Sequence, residues 1–74
     1  DFMKIVPDTS VIIHGDLLEQ LKKIKKKVQL IIPLAALDEL QAQASKGREV
    51  GFIGLEQLKL IREVCNRKKI PISF

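Results

Sequence analysis

Lys4-Ile5-Val6-Pro7-Asp8-Thr9-Ser10 decides how this chain is read. Three residues suited to an extended strand are followed by a proline, and an aspartate and two hydroxyls come directly after it. The run Lys4 to Pro7 is therefore expected to be a strand. Thr9 to His14 is expected to be a short helix, with Asp8 or Thr9 as its N-cap and Gly15 as the break behind it. In open α/β sheets, ligands collect at the carboxyl ends of strands. An acid delivered there stands either as a helix cap or as a metal ligand, and both readings stay open from the residues alone.

Working outward, Leu17, Leu18, Leu21, Ile24 and Val28 fall on one helical stripe beginning at Asp16, and Glu19 precedes Lys23 by four residues. Val28-Gln29-Leu30-Ile31-Ile32 is a strand-length run closed by Pro33, which suits the first turn of the next helix. Leu34, Leu37, Leu40 and Ala44 continue at helical spacing as far as Gly47, which can close that helix in a left-handed conformation. A further helix is signalled by Leu55, Leu58, Ile61, Val64 and Cys65. Ile70 to Phe74 is a last strand, demoted to an edge or a strand start by Pro71. The order is β, α, α, β, α, α, β. Such alternation implies an α/β fold with a parallel sheet, and neither a repeat nor a linker divides it.

Seventy-four residues, 46% of them hydrophobic, suffice for one small domain. A single cysteine allows no internal disulfide, and no Cys/His cluster has zinc spacing. With no apolar stretch near the length of a membrane span and no secretory signal pattern, the expectation is a soluble, cytoplasmic protein. Met3 suits a natural start, which leaves Asp1 and Phe2 outside the functional reading. The net charge is +4, and Lys22, Lys23, Lys25, Lys26 and Lys27 cluster around Ile24. Such a cluster suits a polyanion such as single-stranded RNA, or else a solvated helix end.

Lys4-Ile5-Val6-Pro7-Asp8-Thr9-Ser10-Val11-Ile12-Ile13 resembles the opening strand of PIN-domain nucleases, and Pro33-Leu34-Ala35-Ala36-Leu37-Asp38-Glu39-Leu40 resembles their second strand-to-helix signature. The extension Gln41 to Leu55 is similar to that of archaeal-type PIN-domain ATPases, in which the PIN domain precedes an ATPase core. The resemblance spans nearly the whole chain. It implies a three-layer, Rossmann-like parallel sheet with helices on both faces, of which residues 1–74 form the N-terminal portion of a single PIN domain.

It further implies a divalent-metal-dependent endoribonuclease. Asp8 and Glu39 match acids that hold Mg²⁺ or Mn²⁺, and Thr9 or Ser10 matches the hydroxyl that supports the first acid or its bound water. The family's remaining acids belong to a later helix and strand, so these residues are expected to be inactive alone. Hard divalent ions take oxygen ligands and keep several waters, one of which can become the nucleophile. A second class of function remains beside this one, a basic module that binds RNA or protein on the same scaffold without cleaving.

Other residues carry less. Asp38 lies one helical step, about 100°, from Glu39 and is expected to face water. His14 has no companion base or nucleophile, and Cys65 sits on an apolar helical stripe. Gly47, Gly51 and Gly54 lack the Gly-Lys-Ser/Thr ending of a phosphate loop and are read as capping one helix and starting the next. In the PIN arrangement the first strand is central. A chain of this length would then leave it as an exposed edge, and a homodimer is the expected consequence.

Overall fold

The computed structural model describes residues 2–74, and its element order is the one the sequence implies. Strand β1 covers Met3–Ile5, helices α1 and α2 cover Thr9–His14 and Asp16–Lys23, and β2 covers Val28–Ile31. Helices α3 and α4 cover Leu34–Ser45 and Glu49–Lys68, and β3 is Ile72–Ser73. The three strands form one parallel sheet in the order β1-β2-β3. Met3 pairs with Val28 and Ile5 with Leu30, while Leu30 pairs in turn with Ile72. Parallel pairing puts the starts of all three strands at one edge of the sheet, the amino edge, and their ends at the other, the carboxyl edge.

Burial along β2 alternates as a strand's period of two requires. Val28, Leu30 and Ile32 are buried, whereas Gln29 and Ile31 keep partial exposure. Leu30 and Ile32 belong to a core that takes Ile12 from α1, Leu21 from α2, Leu40 from α3, and Ile61 and Cys65 from α4. Leu21, Leu30, Leu40 and Ile61 are fully enclosed, and each contributes about 2 kcal/mol in transfer free energy.

Several boundaries differ from expectation. β1 ends at Ile5, because Pro7 has no N–H to extend the ladder. Pro33 is the N-cap residue of α3, with extended backbone, rather than its first helical residue. The stripe beginning at Leu17 overshoots: α2 ends at Lys23, and Val28 already belongs to β2. Leu34 is exposed, and Ala36 takes its place in the core. The last strand is confined to Ile72 and Ser73.

The largest departure is at the glycines. Gly47 does close α3 at φ 75. Gly47 N–H donates to the Ala44 carbonyl and Arg48 N–H to the Gln43 carbonyl, both at 2.9 Å, the bond pair of a Schellman cap. Gly51 and Gly54, however, lie inside α4, which already starts at Glu49. A β-carbon at Gly51 would overlap the Ala44 backbone nitrogen and stand 2.7 Å from the Gln43 carbonyl carbon. One at Gly54 would strike the tip of Leu40. These glycines let α4 press against the end of α3.

Candidate metal site at the carboxyl edge of the sheet

Adjacent parallel strands deliver their following helices side by side, so the beginnings of α1 and α3 meet beyond the carboxyl edge. There Thr9, the first residue of α1, donates its hydroxyl to Oε1 of Glu39 on α3 across 3.4 Å, at the long end for such a bond. Asp8 caps α1: its Oδ1 accepts the Val11 backbone N–H at 3.1 Å and the Ser10 hydroxyl at 3.0 Å. These bonds, the Val11 amide first and the Ser10 hydroxyl second, hold the Asp8 carboxyl below the ordinary carboxylate range. Asp8 is therefore an anion at neutral pH. The cap reading and the ligand reading are compatible, because both bonds fall on one oxygen.

The four residues singled out from the sequence thus gather in two hydrogen-bonded pairs, Asp8 with Ser10 and Glu39 with Thr9. Both carboxylates are exposed, as is neighbouring Asp38. Their oxygen chemistry fits a hard divalent cation. The count falls short: among the described residues no group of three or more His, Cys, Asp or Glu side chains could hold a metal. Asp8 and Glu39 fit as part of a ligand set.

Other candidates fall outside this site. His14 is exposed at the end of α1. Cys65 is fully buried, and desolvation pushes its thiol pKa up, the opposite of what a nucleophile needs. A wide cleft runs along α4 beside β3, between Leu55, Arg62, Ile72 and Phe74, and includes neither Asp8 nor Glu39. Within it Arg62 stacks over the Phe74 ring at 5.7 Å.

The lysine cluster lies at the opposite edge of the sheet. Lys22 pairs with Glu19 at 3.4 Å on α2, and Lys25 to Lys27 form the loop that enters β2, where the Met3 N–H donates to the Lys27 carbonyl. From that entry to Pro33 the chain advances roughly 16 Å at a strand's rise per residue.

One capping side chain escaped the sequence reading. Lys68, in the last turn of α4, donates to the carbonyls of Leu21 at 2.6 Å, Lys22 at 3.1 Å and Ile24 at 2.8 Å. It serves the unpaired carbonyl end of α2, a helix 44 to 47 residues away in the chain. A basic residue in a last turn usually serves its own helix, so no local signal could have shown this.

The PIN domain family profile matches residues 5–72. The chain belongs to the PIN domain family. It is 36% identical over 72 residues to an uncharacterized KH and PIN-domain containing protein of Methanocaldococcus jannaschii, covering 96% of this chain and 11% of that protein. It also superposes, with a TM-score of 0.90 and 36% identity, on a solved domain of a functionally unknown protein from Methanocaldococcus jannaschii DSM 2661. That match covers 96% of this chain and 51% of the solved one. The chain thus spans about half the length of the solved domain and about a tenth of the curated relative. PIN domains in general depend on divalent metals, in line with the oxygen donors at the carboxyl edge. Among the described residues no helix is long and apolar enough to cross a membrane.

Proposed function

We propose that these residues are the opening part of a divalent-metal-dependent endoribonuclease domain, with Asp8 and Glu39 as two ligands of a Mg²⁺ or Mn²⁺ site completed by acids from the remainder of the PIN domain. The observation that carries this reading is the junction of α1 and α3, where Thr9 ties Glu39 beside the capped Asp8. Bound metal would supply a water of lowered pKa for attack on the phosphodiester. The chain's own contribution is positional. Ser10 and the Val11 amide fix the Asp8 carboxylate and keep it ionised, and Thr9 fixes that of Glu39.

We place the domain within a larger RNA-directed protein. KH modules grip single-stranded nucleic acid, so a relative that combines KH with PIN supports an RNA substrate. The Gln41 to Leu55 extension supports a parent of the PIN-domain ATPase type. A non-catalytic basic module is the second reading, and the lysines gathered at the amino edge, away from the acids, favour it. β1 is an edge strand, and Met3 and Val6 are exposed. Self-association through that edge is accordingly part of the proposal, and sedimentation equilibrium at micromolar concentration tests it.

The deciding experiment compares the 74-residue chain with a domain extended to the full PIN length, each with Mn²⁺ on single-stranded RNA. The extended domain should cleave, and Asp8→Asn in it should abolish cleavage with the circular dichroism spectrum unchanged. The short chain should be inactive. Turnover by the short chain as a monomer, lost in Asp8→Asn, would overturn the divided site. An extended domain that binds RNA but never cuts it would establish the second reading.

A further inference from the structure

At the amino edge of the sheet, far from the acids, the fold assembles a cleft from three separate parts of the chain. Lys25 to Lys27 of the loop and Lys68 and Lys69 at the end of α4 line it, together with Ile24, Ile70 and Phe2, a residue that the sequence reading had set aside. The cleft encloses about 380 Å³, enough for one small polar group. Among the described residues no carboxylate lines it.

Two details show how the positive charge is kept available. Helix α2 ends here, and its unpaired carbonyls would present the negative pole of the helix to anything entering. The Lys68 ammonium occupies the Leu21, Lys22 and Ile24 carbonyls, cancelling that pole and leaving the ammonium groups of the loop free of it. Lys69 is the second detail. It stands at φ 59, ψ 40, the left-handed position that closes α4, with its own N–H on the Asn66 carbonyl and the Ile70 N–H on the Cys65 carbonyl. Glycine is the residue that this backbone prefers. A lysine holds this backbone less easily than glycine would, and it lines the cleft.

We propose that this cleft binds the phosphate backbone of single-stranded RNA through Lys25, Lys26, Lys27 and Lys69, with a base stacked on Phe2. Ammonium groups and an aromatic ring lining one cleft are the elements of sequence-tolerant single-strand binding. The choice of RNA over an acidic protein rests on the ribonuclease reading above. The site deepens that reading by giving the substrate a path: a strand held here must run the length of the sheet before a phosphodiester reaches Asp8 and Glu39. Lys68 is a positioning residue in this scheme, since its ammonium is already engaged.

The test measures binding alone, so it is independent of cleavage. The 74-residue chain is titrated in EDTA against a fluorescein-labelled oligouridine 12-mer by anisotropy, from 50 to 200 mM salt. K25Q/K26Q/K27Q should bind at least tenfold more weakly at the lowest salt and flatten the log–log salt slope by about 2, at roughly 0.7 per phosphate contact. A charge-matched triple outside the cleft, K4Q/K46Q/K59Q, should leave most of that slope in place. Phe2→Ala should weaken binding severalfold without changing the slope. Lys69→Gly should raise the melting temperature while lowering affinity, a split that a residue with only a structural role would not show. Equal losses in the two triples would overturn the site. So would competition by poly-glutamate of matched charge as strong as that by unlabelled oligouridine, which would mark the cleft as a dock for an acidic protein.

Discussion

At the carboxyl edge of the sheet, Asp8 is fixed by groups within three residues of it, whereas at the amino edge Lys68 grips carbonyls 44 to 47 residues away. The acid needs only a strand that ends and a helix that begins. The basic edge needs α2, α4 and the loop between α2 and β2 all in place at once. The two ends should therefore fail separately: damage to packing removes the basic edge first, and the cap at Asp8 outlasts it.

The strongest way to break the pairing is Gly51→Ala. The added methyl meets the backbone of α3 at Ala44, which cannot rotate away, so α4 must move and carry Lys68 and Lys69 with it. Overpacking of this kind costs about 1–3 kcal/mol, and alanine's better helix propensity returns about 1 kcal/mol. Urea denaturation should show a net loss of up to roughly 2 kcal/mol, with RNA affinity falling alongside. Gly54→Ala should lose less, because its obstacle is the flexible end of Leu40. An unchanged urea midpoint in Gly51→Ala would mean that α3 and α4 have room to separate.

Lys68→Met acts on the amino edge alone. It keeps the aliphatic stem and deletes the charge, exposing the end of α2, and should cost about 1–2 kcal/mol. The hydrogen exchange of amides near Ile24 should accelerate while those of α1 remain as they were. Equal acceleration in both helices would deny that the two edges are independent.

The smallest effect belongs to Asp8. Its carboxyl has a lowered pKa in the folded chain, so its contribution to stability is complete above the unfolded value, near pH 4, and fades as pH falls through the folded value. Asp8→Asn retains a capping side chain but does not titrate. Its stability curve should therefore be flatter than that of the parent below about pH 4, and the two should run parallel near neutrality. Identical acid limbs would show that the bonds from Val11 and Ser10 do not discriminate the charged form.

Legibility followed the same division. Alternating apolar runs with their prolines and glycines placed all seven elements in order, because strand and helix periods and Gly47's left-handed cap are local properties. Asp8 with Thr9 and Ser10 could be read as a helix-capping turn from adjacent residues, and the Leu-Asp-Glu-Leu segment around Glu39 was singled out by family resemblance alone. Boundaries drifted where local signals overlapped, as when the stripe from Leu17 ran on into Val28.

How distant segments use one another was set by the finished fold. It made Gly51 and Gly54 a packing surface, sent Lys68 to cap a helix other than its own, and set Lys69 in a backbone conformation that glycine would hold more easily. It also parted the lysines from the acids, since β2 runs between them. The physical reason is one of range. Caps, turns and periodicity act over a few residues and are written where they act, whereas close approach and charge compensation depend on which surfaces the finished fold brings within a few ångströms.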